Sequence, residues 1–105
     1  MSTIFKALSD PTRRQVLQYL QKGPLGAGEL ASLFDVSKPT MSAHFAVLVA
    51  AGLIEADKQG RSITYRLKLS VLEDALLIFA ETFGLKVTRS SVDQASNTTS
   101  IKETP

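Results

Sequence analysis

Cysteine and tryptophan are absent from this 105-residue chain, and histidine occurs once. Without cysteine, the chain cannot form a disulfide, bind a metal through thiolates, or use a thiol in catalysis or redox sensing. With one histidine, a zinc site within a single chain would depend almost wholly on carboxylates. The sequence therefore predicts neither a metal nor another cofactor.

Catalytic motifs are also missing. The chain has no glycine-rich phosphate loop, no nucleophile motif and no pair of catalytic carboxylates at a plausible site. The single imidazole, His44, has no nucleophile and orienting acid arranged around it in the sequence. We therefore expect that the protein is not an enzyme.

Long hydrophobic runs and targeting signals are lacking as well. No stretch of about 18 apolar residues is present, so no transmembrane helix is expected. The N-terminus has neither the basic start nor the apolar run of a secretory signal peptide, and we expect a cytoplasmic protein. With 44% hydrophobic and 21% charged residues, the composition is that of a small globular domain.

Charge is unevenly distributed, although the formal net charge is only +2. Residues 37–68 carry five basic and two acidic side chains, whereas residues 69–85 carry three acidic and no basic ones. A basic middle third suits a polyanion such as DNA. Charge alone fits a scatter of solvated groups equally well.

Four helices are predicted in the first half of the chain, over residues 2–8, 11–22, 27–34 and 38–51. Asp10 and Ser37 are typical N-cap residues for the second and fourth of these helices. In the fourth helix, Met41, Phe45 and Leu48 share one face. That face is expected to pack inward.

The pattern then changes to that of a β-hairpin and a final helix. Residues 53–57 and 62–67 are rich in β-branched and aromatic side chains, with Gly60 in the turn between them. Lys58 and Arg61 put positive charge at the hairpin tip. The sequence from Ser70 to Glu73 predicts a capping box that opens a helix to about residue 83.

Two short helices joined by a three- or four-residue turn, then a basic-tipped hairpin, describe a winged helix-turn-helix. The predicted fold is mostly α with a small β-hairpin wing, in the order ααααββα. The helix over 38–51 fits the major groove, and small polar groups in its first turn can approach base edges and phosphates. The candidate DNA-binding residues are Ser37, Lys38, Thr40, Ser42, Ala43, His44, Lys58 and Arg61.

Several stretches, in order and spacing, resemble the ArsR family of bacterial transcription regulators. They are FKALSDPTRRQVLQYL at 5–20, ELA at 29–31, VSKPTMSAHFAVL at 36–48, AGLI at 51–54, QGR at 59–61 and YRL at 65–67. The resemblance covers about residues 3–84. The resemblance implies a repressor that binds an imperfect inverted repeat in double-stranded DNA as a homodimer. Many members of the family release DNA when an inducer binds.

The resemblance also implies dimerisation through the first and last helices. Independently, these helices carry more apolar surface than one small core is expected to bury. The candidate dimer-interface residues are Ile4, Phe5, Leu8, Leu72, Leu76, Phe79 and Phe83. The alternative is that these residues simply belong to the core.

Departures from the family pattern narrow the expected function. Metal-sensing members place cysteines on the helix before the recognition helix, where this chain has none, or Asp, His and Glu ligands on the last helix. Here the last helix offers Glu73, Asp74 and Glu81 but no histidine. We therefore predict a metal-independent regulator that is neither a metal nor a thiol sensor. Its inducer, if it has one, would be an unidentified small molecule or protein.

Ala43 stands where many family members have arginine. Alanine removes a donor that would read guanine but still permits contact with a thymine methyl. His44 has two interpretations, a hydrogen bond to DNA or a partly buried ring tied to the backbone. For Arg13 and Arg14, structural or solvated roles are favoured over phosphate contacts.

Two further expectations concern organisation and class. Residues 1–87 are predicted to form the DNA-binding and dimerisation domain, and the polar residues 88–105 a flexible tail. The alternative function is a winged-helix protein-interaction module that does not bind DNA.

Overall fold

The computed structural model describes residues 2–86. The elements in this part of the chain are α1 (Ser2–Leu8), α2 (Pro11–Gln21), β1 (Leu25–Gly26), α3 (Ala27–Ala31), α4 (Lys38–Ala50), β2 (Ile54–Gln59), β3 (Ser62–Leu67) and α5 (Leu69–Thr82). The mostly helical fold with a small antiparallel hairpin is therefore confirmed. The described residues form two compact units, the first ending at Leu72 and the second beginning at Glu73.

The structure differs from the sequence prediction at the end of α3, at strand β1 and at the start of α5. The helix predicted over 27–34 ends at Ala31, because Leu33 and Phe34 donate to carbonyls three residues back, which tightens the chain into turns. Strand β1 was not predicted, since two residues are too few to show alternation. The last helix begins at Leu69, so Ser70 lies in its first turn instead of capping it.

The start of α2 is fixed by Asp10. Its carboxylate accepts hydrogen bonds from the backbone N–H groups of Thr12 at 2.8 Å and Arg13 at 3.1 Å. Burial raises the pKa of Asp10, but these two bonds and the electrostatic interactions with His44 and Arg13 outweigh it. The net pKa therefore lies below the ordinary value of 3.8. This N-cap was predicted from the sequence, and the structure confirms it.

We expect Asp10→Ala to lower the free energy of unfolding by about 1 kcal/mol at neutral pH, because two N–H groups at the start of α2 lose their acceptor. Since folding lowers the pKa of Asp10, the charge stabilises the fold above pH 3.8, and that contribution is lost as the pH falls through the folded-state pKa. Urea unfolding at neutral and acid pH measures both effects. Asp10→Asn keeps a cap without the charge and is the control. A pH-independent gap between wild type and Asp10→Asn would contradict the assignment.

The core of the first unit lies beneath the inner face of α4. Met41, Phe45 and Leu48 are all buried there, as the sequence predicted. Each buried side chain of this size stabilises the fold by about 1.5–3 kcal/mol. The Phe45 ring packs against Tyr65 of β3, with centroids 4.9 Å apart, and burial raises the pKa of the Tyr65 hydroxyl. The helix and the hairpin are therefore held together.

Strand β3 is the centre of a three-stranded antiparallel sheet with the order β1-β3-β2. The hairpin register pairs Ile54 with Leu67 at one end and Gln59 with Ser62 at the other. A two-residue turn joins β2 to β3, and Gly60 in that turn has φ +62°. Glycine is favoured there because side chains with a Cβ are strained at positive φ. The turn projects the hairpin as a wing.

The second unit contains most of α5. Ala75 and Ala80 are buried and Leu77 is half-buried, whereas the other large apolar side chains of this unit are exposed. The exposed fractions are 48% for Leu76, 46% for Ile78, 42% for Phe79 and 65% for Phe83. Phe79 and Phe83 lie one helical turn apart, with ring centroids separated by 4.9 Å. Leu76, Phe79 and Phe83 follow one another at spacings of three and four residues, so they form an exposed apolar stripe along one side of this segment.

In the first unit, Ile4, Leu8 and Leu72 are partly buried and pack against the core cluster, and Phe5 is half-buried. The predicted tail over 88–105 lies outside the described residues, so the domain boundary stays a prediction. No helix within residues 2–86 has the length and apolar character needed to span a membrane.

Candidate nucleic-acid interface

The helix-turn-helix consists of α3, residues 32–37 and α4. The connection is longer than the three or four residues predicted, because α3 ends early. Leu30 of α3 is fully buried and anchors that helix in the core. The inner face of α4 is also buried, which fixes the orientation of this helix. The helix is about 20 Å long, and its other face is exposed to solvent.

The first turn of α4 is organised by Ser37. Its backbone is extended, with φ −61° and ψ 150°, and its Oγ accepts a hydrogen bond from the Thr40 N–H at 3.4 Å. The same hydroxyl donates to the Thr40 Oγ1 at 2.9 Å. Because the Ser37 hydrogen is used in that bond, the Thr40 hydroxyl keeps its own hydrogen as a donor. The predicted N-cap is confirmed.

The solvent face of α4 is made of small or polar side chains. Lys38, Thr40, Ser42 and Ala43 are exposed, whereas Met41, Phe45 and Leu48 are buried. Small side chains let a helix approach base edges closely, and hydroxyls can donate to or accept from them. Lys38 adds a positive charge at the N-terminal end, where the helix dipole is also positive.

The wing places two cations at its tip. Lys58 and Arg61 are exposed, and neither forms an ion pair with another residue in the described part of the chain. Lys58 lies opposite Ile63 in the hairpin register. Its side chain is therefore on the same face of the hairpin as Tyr65, which packs against Phe45 of α4. These charges are therefore available to an anionic partner.

The two other basic residues of the hairpin region, Arg66 and Lys68, lie near one acidic residue, Glu55. Arg66 lies directly opposite Glu55 in the hairpin register. The Lys68 Nζ lies 4.0 Å from the Glu55 Oε1. Glu55 therefore offsets part of the charge at the base of the hairpin, as Asp57 does beside Lys58, and Lys58 and Arg61 remain as the cations nearest the tip.

His44 is half-buried at the edge of the exposed face of α4. Its Nδ1 lies 3.2 Å from the Nη1 of Arg13 on α2. The ring is thus tied to a side chain and not to the backbone, which neither of the two sequence interpretations anticipated. No sequence signal points to this contact, because the two residues are 31 positions apart.

Arg14, like Arg13, makes a hydrogen bond within the fold. Its Nη1 donates to the Leu8 carbonyl at 2.8 Å, near the end of α1. Arg13 donates to the Lys6 and Ala7 carbonyls of the same helix. Both arginines therefore contact α1, which agrees with the structural role favoured from the sequence. Elsewhere in residues 2–86, no three histidine, aspartate or glutamate side chains come together in an arrangement that could hold a metal ion.

Known proteins with similar sequences match the part of the chain that contains these elements. A family model described as a helix-turn-helix domain matches residues 8–56. The chain is 42% identical over 76 residues to the transcriptional repressor SdpR of Bacillus subtilis (strain 168), covering 72% of this chain and 84% of that protein. It is 38% identical over 76 residues to the arsenical resistance operon repressor of Staphylococcus aureus, covering 72% and 73% of the two chains.

Solved structures agree with these sequence relatives. An ArsR-like transcriptional regulator from Rhodococcus sp. RHA1 superposes with a TM-score of 0.72 at 32% identity, covering 79% of this chain and 76% of that one. All three relatives are regulators and not enzymes, which agrees with the sequence prediction. With its helix-turn-helix, its wing and these relatives, the chain belongs to the ArsR family of winged helix-turn-helix, DNA-binding transcriptional regulators.

Proposed function

We propose that this protein is a transcriptional repressor that binds an inverted-repeat operator as a homodimer. The observation that carries the proposal is one surface, formed by the exposed polar face of α4 and by two wing-tip cations without an ion-pair partner in residues 2–86. A helix of this size enters the major groove, while a charged hairpin beside it reaches the phosphate backbone. Two of the relatives are named as repressors, which supports repression over activation.

The residues divide by chemistry into two roles. Lys38, Lys58 and Arg61 are cations and bind phosphates, which gives affinity without sequence preference. Thr40, Ser42 and His44 offer hydrogen-bonding groups to base edges, and Ala43 offers a methyl group that fits a thymine methyl. Ser37 acts mainly through the cap that orients Thr40.

The homodimer places two copies of α4 on one side of the duplex. Half-sites of a helix-turn-helix dimer lie about 34–36 Å apart, or one turn of DNA. The interface uses the first and last helices, with Ile4, Phe5, Leu8, Leu72, Leu76, Phe79 and Phe83 as its apolar residues. The exposure of Leu76, Phe79 and Phe83 supports this assignment, since exposed apolar surface of this extent marks association.

Derepression does not use a thiol, since the chain has no cysteine. We propose a metal-independent regulator, whose release signal is a small molecule or a protein. The domain that carries both activities spans residues 1–87, and residues 88–105 form a polar tail.

Selection of bound duplexes from a random-sequence pool tests the proposal whatever the operator sequence is. We expect the full-length protein to enrich a motif with two-fold symmetry, whose half-sites are centred about 10 base pairs apart. Enrichment of an asymmetric single site would contradict the homodimer. Enrichment of no sequence would contradict specific DNA binding.

A further inference from the structure

Arg13 connects three parts of the first unit through one guanidinium. Its Nε donates to the Ala7 carbonyl at 2.8 Å, and its Nη2 donates to the Lys6 carbonyl at 2.9 Å. Its Nη1 lies 3.2 Å from the His44 Nδ1. The end of α1, the start of α2 and the exposed edge of α4 therefore meet at this side chain.

The chemistry of the two groups fixes the state of the imidazole. A guanidinium has donors only, so the His44 Nδ1 must accept the hydrogen bond. A nitrogen that accepts carries no proton, and the neutral ring then carries its hydrogen on Nε2. His44 thereby becomes a donor at Nε2, suited to a phosphate oxygen or to an acceptor on a base edge such as guanine N7 or O6.

The guanidinium is itself held in place. The last carbonyls of a helix lack partners within it, and two carbonyls near the end of α1 accept the other nitrogens of Arg13. The backbone of Arg13 is also fixed, because its N–H donates to the Asp10 carboxylate at 3.1 Å. A side chain with both ends fixed holds the imidazole in one orientation.

We propose that Arg13 is a positioning residue for DNA recognition, which holds the His44 ring so that its Nε2–H group is presented to the operator. The proposal rests on the proposed function, because it requires that α4 reads DNA. It adds that a residue outside the helix-turn-helix determines the donor that α4 offers. It also implies that the His44 ring is correctly oriented only when α1 is packed in place, because carbonyls of α1 hold Arg13.

Arg14 provides the matched control. It also donates to a carbonyl of α1, that of Leu8 at 2.8 Å, but it does not contact His44 in the described structure. Arg13→Ala and Arg14→Ala should therefore both loosen α1 and lower stability. Only Arg13→Ala should change the imidazole.

Nitrogen NMR of the full-length protein measures the imidazole directly, and its signals are unambiguous because the chain has one histidine. In the wild type at neutral pH, we expect an unprotonated Nδ1 and a protonated Nε2. Arg13→Ala should shift the Nδ1 resonance, and Arg14→Ala should leave it unchanged. Equal spectra for Arg13→Ala and the wild type would overturn the proposal, whether or not the protein binds DNA.

A double-mutant cycle then tests the consequence for recognition, with a fluorescent duplex carrying the enriched motif and at a temperature below the unfolding transition of every variant. We expect Arg13→Ala and His44→Ala each to weaken operator binding about tenfold, since a good base contact has about this effect. The double variant should bind no worse than His44→Ala, because Arg13 acts through the ring.

The outcomes separate the two proposals. Independent effects in the double variant, about 100-fold in total, would overturn the positioning role. An equal loss of affinity in Arg14→Ala would also overturn it, since destabilised α1 would then explain the result. A wild-type protein that prefers no duplex sequence would instead overturn the proposed function.

Discussion

Charge placed on the apolar side of α5 is expected to separate the dimer and to lower operator affinity about 10²–10⁴-fold. The double variant Leu76→Glu/Phe79→Glu replaces two side chains that are 48% and 42% exposed. In an interface, the buried carboxylates would lack partners and would oppose association. A monomer binds one half-site at a time and loses the high effective concentration that tethers the second reading helix.

The measurement combines light scattering with operator titration. The wild type should have twice the chain mass of 11.4 kDa, and the variant should have that mass itself. Glu81→Lys is the control, because it changes charge at an exposed position on the opposite side of α5. It should remain dimeric. A wild type that is monomeric at micromolar concentration, or a variant that remains dimeric, would contradict the assigned interface.

Removal of Lys38 and Arg61 should weaken binding to every DNA sequence by a similar factor. Each phosphate contact contributes about 0.9 to the slope of log affinity against log salt concentration. A dimer of the double variant Lys38→Ala/Arg61→Ala loses four contacts, so the slope should become shallower by about 3 to 4. Titrations of native and scrambled duplexes at several salt concentrations measure this change.

Matched variants show whether the location of the charge matters. Lys22→Ala removes an exposed cation at the end of α2, away from the proposed DNA surface, and should leave the slope unchanged. Thr40→Ala and Ser42→Ala should alter the preference between sequences while keeping the slope. If Lys22→Ala and Lys38→Ala behave alike, the proposed DNA surface is wrong.

Local signals explain why much of the fold was predictable. Asp10 and Ser37 cap their helices through bonds to N–H groups two or three residues away, so the cause is contained in a short stretch of sequence. The hairpin was predictable for a similar reason, because Gly60 supplies a positive φ in a two-residue turn.

Long-range contacts explain what was missed. Strand β1 exists because Leu25 and Gly26 pair with Tyr65 and Thr64, about 40 residues later. The bond between Arg13 and His44 likewise joins residues on different helices. The end of α3 depends on how its turn packs, and propensity is a weak guide at helix ends.

The candidate site itself was partly predictable. Helix α4 has apolar residues on several sides, and Val49 is 39% exposed, so periodicity alone does not identify the inner face. The large side chains of Met41, Phe45 and Leu48 identify it, because they need the most burial. The small residues opposite them then become the outward face, as the sequence indicated.

The proposed function requires that this protein recognises a specific DNA sequence through α4 and the wing. The most direct measurement is a fluorescence-anisotropy titration of the full-length chain at physiological salt, with the selected duplex and a scrambled duplex of equal length. We expect the selected duplex to bind about 10³-fold tighter or more. Equal affinity for the two duplexes would contradict sequence-specific recognition, and binding to neither would contradict DNA binding altogether.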